Sequence, residues 1–373
     1  MRKTTFAILC LEGAVLSFNV AAAAALVPSI AKDFALSQFI VGRIIWLYML
    51  PYGLAALVYG PLVRAFDARK VELVCMSLFS LANLFAGLSV NIYALFTARF
   101  FTGLFGASVI PLGLILIARH IEAKNRGRFV GIFFSATFIA SLSGLFLSAI
   151  IPWRLIFLIP AVSGFLVSLL IYFFLPSFKQ DTGRLSINYL SCLRDKRIFS
   201  LFSYIFLISI IYHGIQQWLG VYFCSKFNLS QFLISMLITL TSLSGIFGEF
   251  IGGLFSDLIG RAKIVNLGIM LMVLSVFLLL LKTPVIFLSL IMIIWGLGWT
   301  FNHAGLSTLL TDISDEFLNE SASLNSSVRF ISGGLGAVLG GAMMQQNLNL
   351  GFMVFGSGLL GLLFFGKILI KKI

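Results

Sequence analysis

Twelve continuously apolar runs, most of them about twenty residues long or longer, constrain this chain more than any motif does. They fall at roughly 6–28, 38–62, 71–91, 93–117, 129–150, 153–175, 198–223, 231–254, 264–281, 284–310, 321–345 and 349–369. A bilayer core about 30 Å thick needs a helix of ~20 apolar residues to cross it. The runs do not alternate apolar and polar residues, which argues against membrane strands. A soluble fold could not hide them: 60% of the 373 residues are hydrophobic and only 10% charged, against about 25% charged in an ordinary globular domain. A soluble enzyme, a disordered chain and a nucleic-acid binder are all excluded on this ground. The first run begins with Arg2 and Lys3 and ends in Ala21–Ala25, as a signal peptide would. Its length and the interrupting Glu12 favour a retained span.

Charge orients the spans. Of the 26 Lys and Arg, nineteen lie in the termini and alternate loops that share a side with the N-terminus. Lys32, Arg154, Lys226 and Lys282 lie in the other loops, and Arg43, Arg99 and Arg329 inside spans. The positive-inside rule therefore predicts cytoplasmic termini and a multi-pass protein of the plasma (inner) membrane. The acidic loop Asp312–Glu320 dissents, but acidic residues carry little topological weight. The four cysteines, Cys10, Cys75, Cys192 and Cys224, show no metal or disulfide spacing.

The longest loop follows the sixth run and divides the chain into an N-terminal six-helix half, 1–175, a cytoplasmic linker, 176–197, and a C-terminal six-helix half, 198–373. Both halves carry a related loop after their second run. One is Gly60-Pro-Leu-Val-Arg64-Ala-Phe-Asp67-Ala-Arg69-Lys70; the other is Gly253-Leu-Phe-Ser-Asp257-Leu-Ile-Gly260-Arg261-Ala-Lys263. The expected fold is all-α and integral to the membrane, with twelve transmembrane helices in two six-helix, pseudo-symmetric halves, a plan common among transporters.

The second loop resembles the signature of the major facilitator superfamily, Gly-x-x-x-Asp-x-x-Gly-Arg-x-Lys/Arg. Tyr48-Met-Leu-Pro51-Tyr-Gly53, Arg99-x-x-x-Gly103, Trp153-Arg154-x-x-Phe157 and Asn325-x-x-x-Arg329-x-x-x-Gly333-x-x-Gly336 are similar to its bacterial drug/proton antiporter branch. Two features depart from that pattern. Arg64 stands where the first loop should carry Asp, which leaves Asp67 as the candidate for that role. The fifth span has Ser143-Gly144-Leu145 and no Gly-Pro pair. The resemblance implies a secondary active transporter working by alternating access, exporting a small amphipathic compound in exchange for protons. It also implies conformational latch loops at Gly60 and Asp67 and at Gly253, Asp257, Gly260 and Arg261. Proton-coupled import of a sugar or organic acid is the alternative, and a non-transporting receptor or scaffold a further one. No phosphate-binding loop, catalytic constellation, cofactor or metal site is expected, and no nucleic-acid partner; the partners are substrate, protons and lipid, with the chain a monomer.

Polar residues inside spans are costly and face a cavity or a partner. Glu12 and Arg329 are expected as the proton-coupling residues, with Glu12 the carrier, and Asn19, on the same helix face as Glu12, is expected to line the substrate cavity; a permanent Glu12–Arg329 pair is the rival reading. Arg99 either faces the substrate cavity or anchors backbone carbonyls. His213, Gln216 and Gln217 share a face of the seventh span. Trp295, Trp299 and His303 recur every four residues on the tenth, as a ligand-facing aromatic stripe or as packing. Glu249 is expected to partner loop residues such as Arg261.

Overall fold

The computed structural model describes residues 3–177, 189–313 and 318–370; the side chains at 60, 63–65, 118–119, 123–128, 257, 308, 310–313, 318–322 and 365–370 lie outside that description. Among the described residues every regular element is a helix. A helix pairs its backbone groups within one segment, which hydrocarbon requires. The chain forms two compact units, Met1–Ile187 and Asn188–Ile373.

The first unit contains α1 (Lys3–Ser17), α2 (Ala22–Asp33), α3 (Gln38–Val41), α4 (Arg43–Ala65), α5 (Ala68–Gly87), α6 (Ile92–Gly106), α7 (Val109–His120), α8 (Ala123–Leu147) and α9 (Trp153–Phe174). Here α5 packs along α6 and α9, and α1 along α8. The second unit contains α10 (Tyr189–Arg194), α11 (Lys196–Gln216), α12 (Leu219–Phe227), α13 (Gln231–Ile259), α14 (Arg261–Leu279), α15 (Val285–Ile313), α16 (Leu318–Gln346) and α17 (Leu348–Ile370). Both α13 and α14 pack along α15, and α11 along α16. Eleven segments of the described residues are long and apolar enough to cross a membrane; in the twelfth place the apolar helix Leu348–Phe364 is shorter. The outward faces remain apolar, as with Val162, Leu166, Leu169 and Phe173 on α9, which suits lipid as the solvent.

Four of the expected runs are not single helices, one of them only through a single-residue turn at Gly42 between α3 and α4. In the other three the chain turns at 18–21 between α1 and α2, at 107–108 between α6 and α7, and at 217–218 between α11 and α12. At the first turn α8 comes so close that a Cβ on Gly144 would lie 1.7 Å from the Phe18 carbonyl oxygen. At the third, the Trp218 indole N–H donates to the Ala337 carbonyl at 2.8 Å. Within the expected linker loop, α10 is helical and buries Cys192; positions 178–188 of that loop lie outside the described residues.

Polar side chains close the helix ends. Asp67, Asn91, Asp195 and Ser230 cap the N-termini of α5, α6, α11 and α13, each satisfying an otherwise unpaired N–H. Lys226 donates to the terminal carbonyls of α14 at Leu279, 3.1 Å, and Leu280, 2.8 Å, where a cation also meets the negative end of the helix dipole. The Trp153-Arg154 pair clamps the other end of its unit. Arg154 pairs with Asp33 and donates to the Ser89 carbonyl at 3.2 Å, while the Trp153 indole reaches Asp33 at 3.1 Å.

Candidate functional site

In the first unit, Glu12 sits in mid-α1 and is 1% exposed. Its carboxyl faces that of Glu72 on α5, which is 2% exposed, within hydrogen-bonding reach. No other described residue donates to either carboxyl. Sequence reasoning missed Glu72 because it lies in the first turns of its apolar run, where a carboxylate passes for a surface residue. Its place between Val71 and Leu73, with Val74 and Cys75 following, was the available signal, since all four are apolar. Asn19 lies in the turn between α1 and α2, and its amide N–H donates to Asn83 Oδ1 at 2.6 Å. Asn83, also absent from the expected set, donates in turn to the Phe79 carbonyl at 3.0 Å. Arg99 is 1% exposed; its Nε donates to the Ile44 carbonyl at 3.3 Å. The guanidinium stands 4.5 Å from the Tyr48 ring centroid and 5.5 Å from that of Phe157. The Ile44 bond is the kind of contact the anchoring reading of Arg99 names, while its Nη1 is buried with no hydrogen-bond partner among the described residues.

The second unit gathers most of the remaining residues. Tyr212 of α11 stacks on Trp299 of α15 at 3.7 Å and 9°, and lies 5.2 Å from Trp295. The Trp295 indole N–H donates to Gln216 Oε1 at 2.6 Å. The Gln217 amide lies 3.2 Å from His213 Nδ1, and His213 meets Trp299 edge-on at 5.8 Å. His303 Nδ1 stands 2.7 Å from Glu249 Oε1. Arg329 donates through Nε to Asn325 Oδ1 at 2.9 Å. Its two terminal nitrogens are buried with no hydrogen-bond partner among the described residues, within electrostatic range of Glu249 and His213. His213 and Gln216 of α11, Gln217 in the turn after it, Trp299 and His303 of α15 and Arg329 of α16 thus come together, with Tyr212 of α11 and Glu249 of α13 completing the cluster. Glu249 does not serve the loop as expected: the close packing of α13 on α15 sets it against His303. Small residues permit such packing along the Arg329 stripe, where a Cβ on Gly336 would lie 2.2 Å from the Ile210 carbonyl oxygen.

The two loops are held differently. Asp67 accepts the Arg69 N–H at 3.1 Å through one oxygen and the Ser177 hydroxyl through the other, while the Arg69 guanidinium donates to the Tyr172 carbonyl. The loop after α4 is thereby tied to the end of α9. In the other loop, Gly260 has φ +97°, a conformation that strains any side chain, and Arg261 Nη1 donates to the Ser256 carbonyl at 3.1 Å. Gly253 has open space about it. Gly60 and the Asp257 side chain lie outside the described residues. Asp67→Ala is expected to lose about 1 kcal/mol of stability through the lost cap, and more through the lost Ser177 bond; Asp67→Asn keeps the cap oxygen and should lose less. Thermal melting of both purified variants checks the order.

A family model described as Major Facilitator Superfamily matches residues 9–341. The uncharacterized MFS-type transporter YdgK of Bacillus subtilis (strain 168) is 28% identical over 278 residues, covering 69% of this chain and 67% of that protein. A gallate transporter of Pseudomonas putida is 29% identical over 163 residues, covering 43% of this chain and 36% of that protein. A puromycin resistance protein of Streptomyces alboniger is 30% identical over 132 residues, covering 34% and 26%. Among solved structures, a POT family transporter in complex with 5-aminolevulinic acid superposes with a TM-score of 0.82 at 12% identity, covering 98% of this chain and 96% of that one. That likeness bears on the fold alone.

Proposed function

The chain belongs to the major facilitator superfamily, a transporter and not an enzyme, and from that premise we propose that it exports a small amphipathic compound by alternating access in exchange for protons. The observation that carries the substrate class is the Tyr212–Trp299 stack with Trp295 behind it and His213 and Gln217 at its edge. Flat aromatic surface beside a few hydrogen-bonding groups suits a compound with an apolar body and a polar end. Glu12 is the proposed proton carrier, because a buried carboxyl can be neutral in one stage of the cycle and charged in another. The latch loops, the plasma-membrane location, the cytoplasmic termini and the monomeric state belong to the same reading. The charge bias of the loops supports the orientation, and the partial likeness to a puromycin resistance protein supports export.

One observation favours a second reading, proton-coupled import of an organic acid. The unpartnered terminal nitrogens of Arg329 are suited to a carboxylate, and the relative named as a gallate transporter fits that chemistry. Liposomes containing the purified chain, tested with puromycin, gallate and a wider panel with and without an imposed pH gradient, separate the readings. Saturable extrusion driven by inward protons supports export; accumulation of acids with protons supports import. Movement of no compound by folded protein overturns both.

A further inference from the structure

We propose that Glu12 and Glu72 form one proton-binding site, a carboxyl pair that shares a single proton between α1 and α5. This rests on the proton-coupled reading above and adds to it the second residue that holds the proton. The pair joins two helices of one unit, so the site is complete within that unit. Both side chains are at least nine-tenths buried, and each carboxyl lacks a donor from any other described residue. Two bare carboxylates facing each other away from water would repel strongly and leave every oxygen unsatisfied. One proton removes both difficulties: one carboxyl becomes a hydroxyl donor and the other remains the acceptor.

The helices indicate which partner donates. Glu72 stands in the second turn of α5, near the end where aligned peptide dipoles favour negative charge. Glu12 lies in the middle of α1 with no such help. In the closed pair the proton is therefore on Glu12, and its O–H donates to the Glu72 carboxylate. Among the described residues, the groups around the pair do not supply a competing countercharge. Cys75, one turn along α5, faces Glu72, and the Tyr59 hydroxyl of α4 contacts Cys75. The described part of α8 that packs on α1 has no ionisable side chain. On α9, Arg154 is engaged at Asp33 and the Tyr172 carbonyl holds Arg69. On α6, Arg99 is engaged at Ile44 and Tyr48; on α7, His120 bonds the Leu116 carbonyl. The basic positions Arg64, Arg119, Lys124, Arg126 and Arg128 lie outside the described side chains. A larger cation fits less well: hard cations take six or more oxygens, and no group of three or more His, Cys, Asp or Glu among the described residues could hold one.

A shared proton is sensitive to separation. When α1 and α5 move apart, the donor and acceptor lose each other, and holding the proton no longer removes a repulsion. The pair is thus a place where a shift of one helix within a half changes proton occupancy.

The test reads the proton directly. Infrared pH titration of the purified full chain in lipid nanodiscs, comparing wild type with Glu12→Gln and Glu72→Gln, follows the protonated-carboxyl stretch. The expected result is one titrating band in wild type whose midpoint moves by a pH unit or more when Glu72 is replaced, with Glu12→Gln losing the wild-type band. An unchanged midpoint in Glu72→Gln overturns the pair. If the single variants do not fold, Glu12→Gln/Glu72→Gln places two amides face to face, which can hydrogen-bond to each other. It should recover folded protein without the band, and persistence of the band overturns the site. Sodium titration of wild type at fixed pH should leave the band unmoved; displacement of the band by sodium would mean that the site holds a metal cation instead. The companion transport assay keeps the two claims apart. A coupled titration with transport indifferent to a pH gradient retains the pair and removes proton coupling. Proton-driven transport with an unmoved Glu72→Gln midpoint does the reverse.

Discussion

Glu12→Gln is expected to abolish movement of substrate against a gradient while leaving part of the downhill exchange. The side chain is 1% exposed in mid-α1, and the amide keeps its size and can still donate to Glu72. Packing is therefore little disturbed, and the cluster on α11, α15 and α16 is untouched. What is lost is the ability to alternate between a neutral and a charged form, on which any proton-carrying step depends. Accumulation or extrusion by the folded variant in liposomes should fall to the equilibrium level under an imposed pH gradient, whereas counterflow of labelled substrate persists. Wild-type gradient-driven transport by Glu12→Gln would falsify the assignment. Loss of counterflow as well would show that Glu12 serves substrate binding or folding instead.

Gly144→Val should be the most damaging single change of a small residue in the first unit. A Cβ at this position would lie 1.7 Å from the Phe18 carbonyl oxygen and 2.8 Å from its carbon. The obstacle is backbone, so no rotamer change relieves it. Overpacking of a filled interior costs on the order of 1–3 kcal/mol and sometimes more; here α8 must withdraw from the turn that joins α1 to α2. A sharp loss of folded protein, or a clearly lower melting temperature of what remains, is the expected outcome. Gly131→Val on the same helix is the control, because its Cβ would meet nothing within 4 Å. Equal melting of the two variants would remove the argument. The same contact bears on the absent Gly-Pro pair of the fifth span: the glycine alone makes the close approach, and proline is not required for it.

Some of the candidate site was legible in the sequence. The faces of α11 and α15 could be read because helical spacing places His213, Gln216 and Gln217 together, and Trp295, Trp299 and His303 together, whatever surrounds them. Which partner each would find was not legible. Asn19 meets Asn83 and Glu249 meets His303, pairs 64 and 54 residues apart in the chain, and no local pattern reports a contact between helices so distant. Glu72, at the start of its apolar run, passed for a surface carboxylate, and its partner on another helix left no local sign either.

The sequence by itself determined the membrane class, the spans and the charge bias of the loops between them. These depend on solvent: hydrocarbon admits long apolar helices, and lysine and arginine stay at the ends or on one side. It also determined the family, through loops whose glycine and charged positions follow a short-range pattern. Only the tertiary structure decided where four spans turn, because apolar residues satisfy the bilayer equally well on either side of a break and leave no trace of it in hydropathy. It alone decided that Glu12 lies against Glu72 and that Arg99 rests on Ile44 and Tyr48. Those outcomes depend on how helices rotate and pack against one another, and that is set by shape complementarity summed over many side chains rather than by any residue's own chemistry.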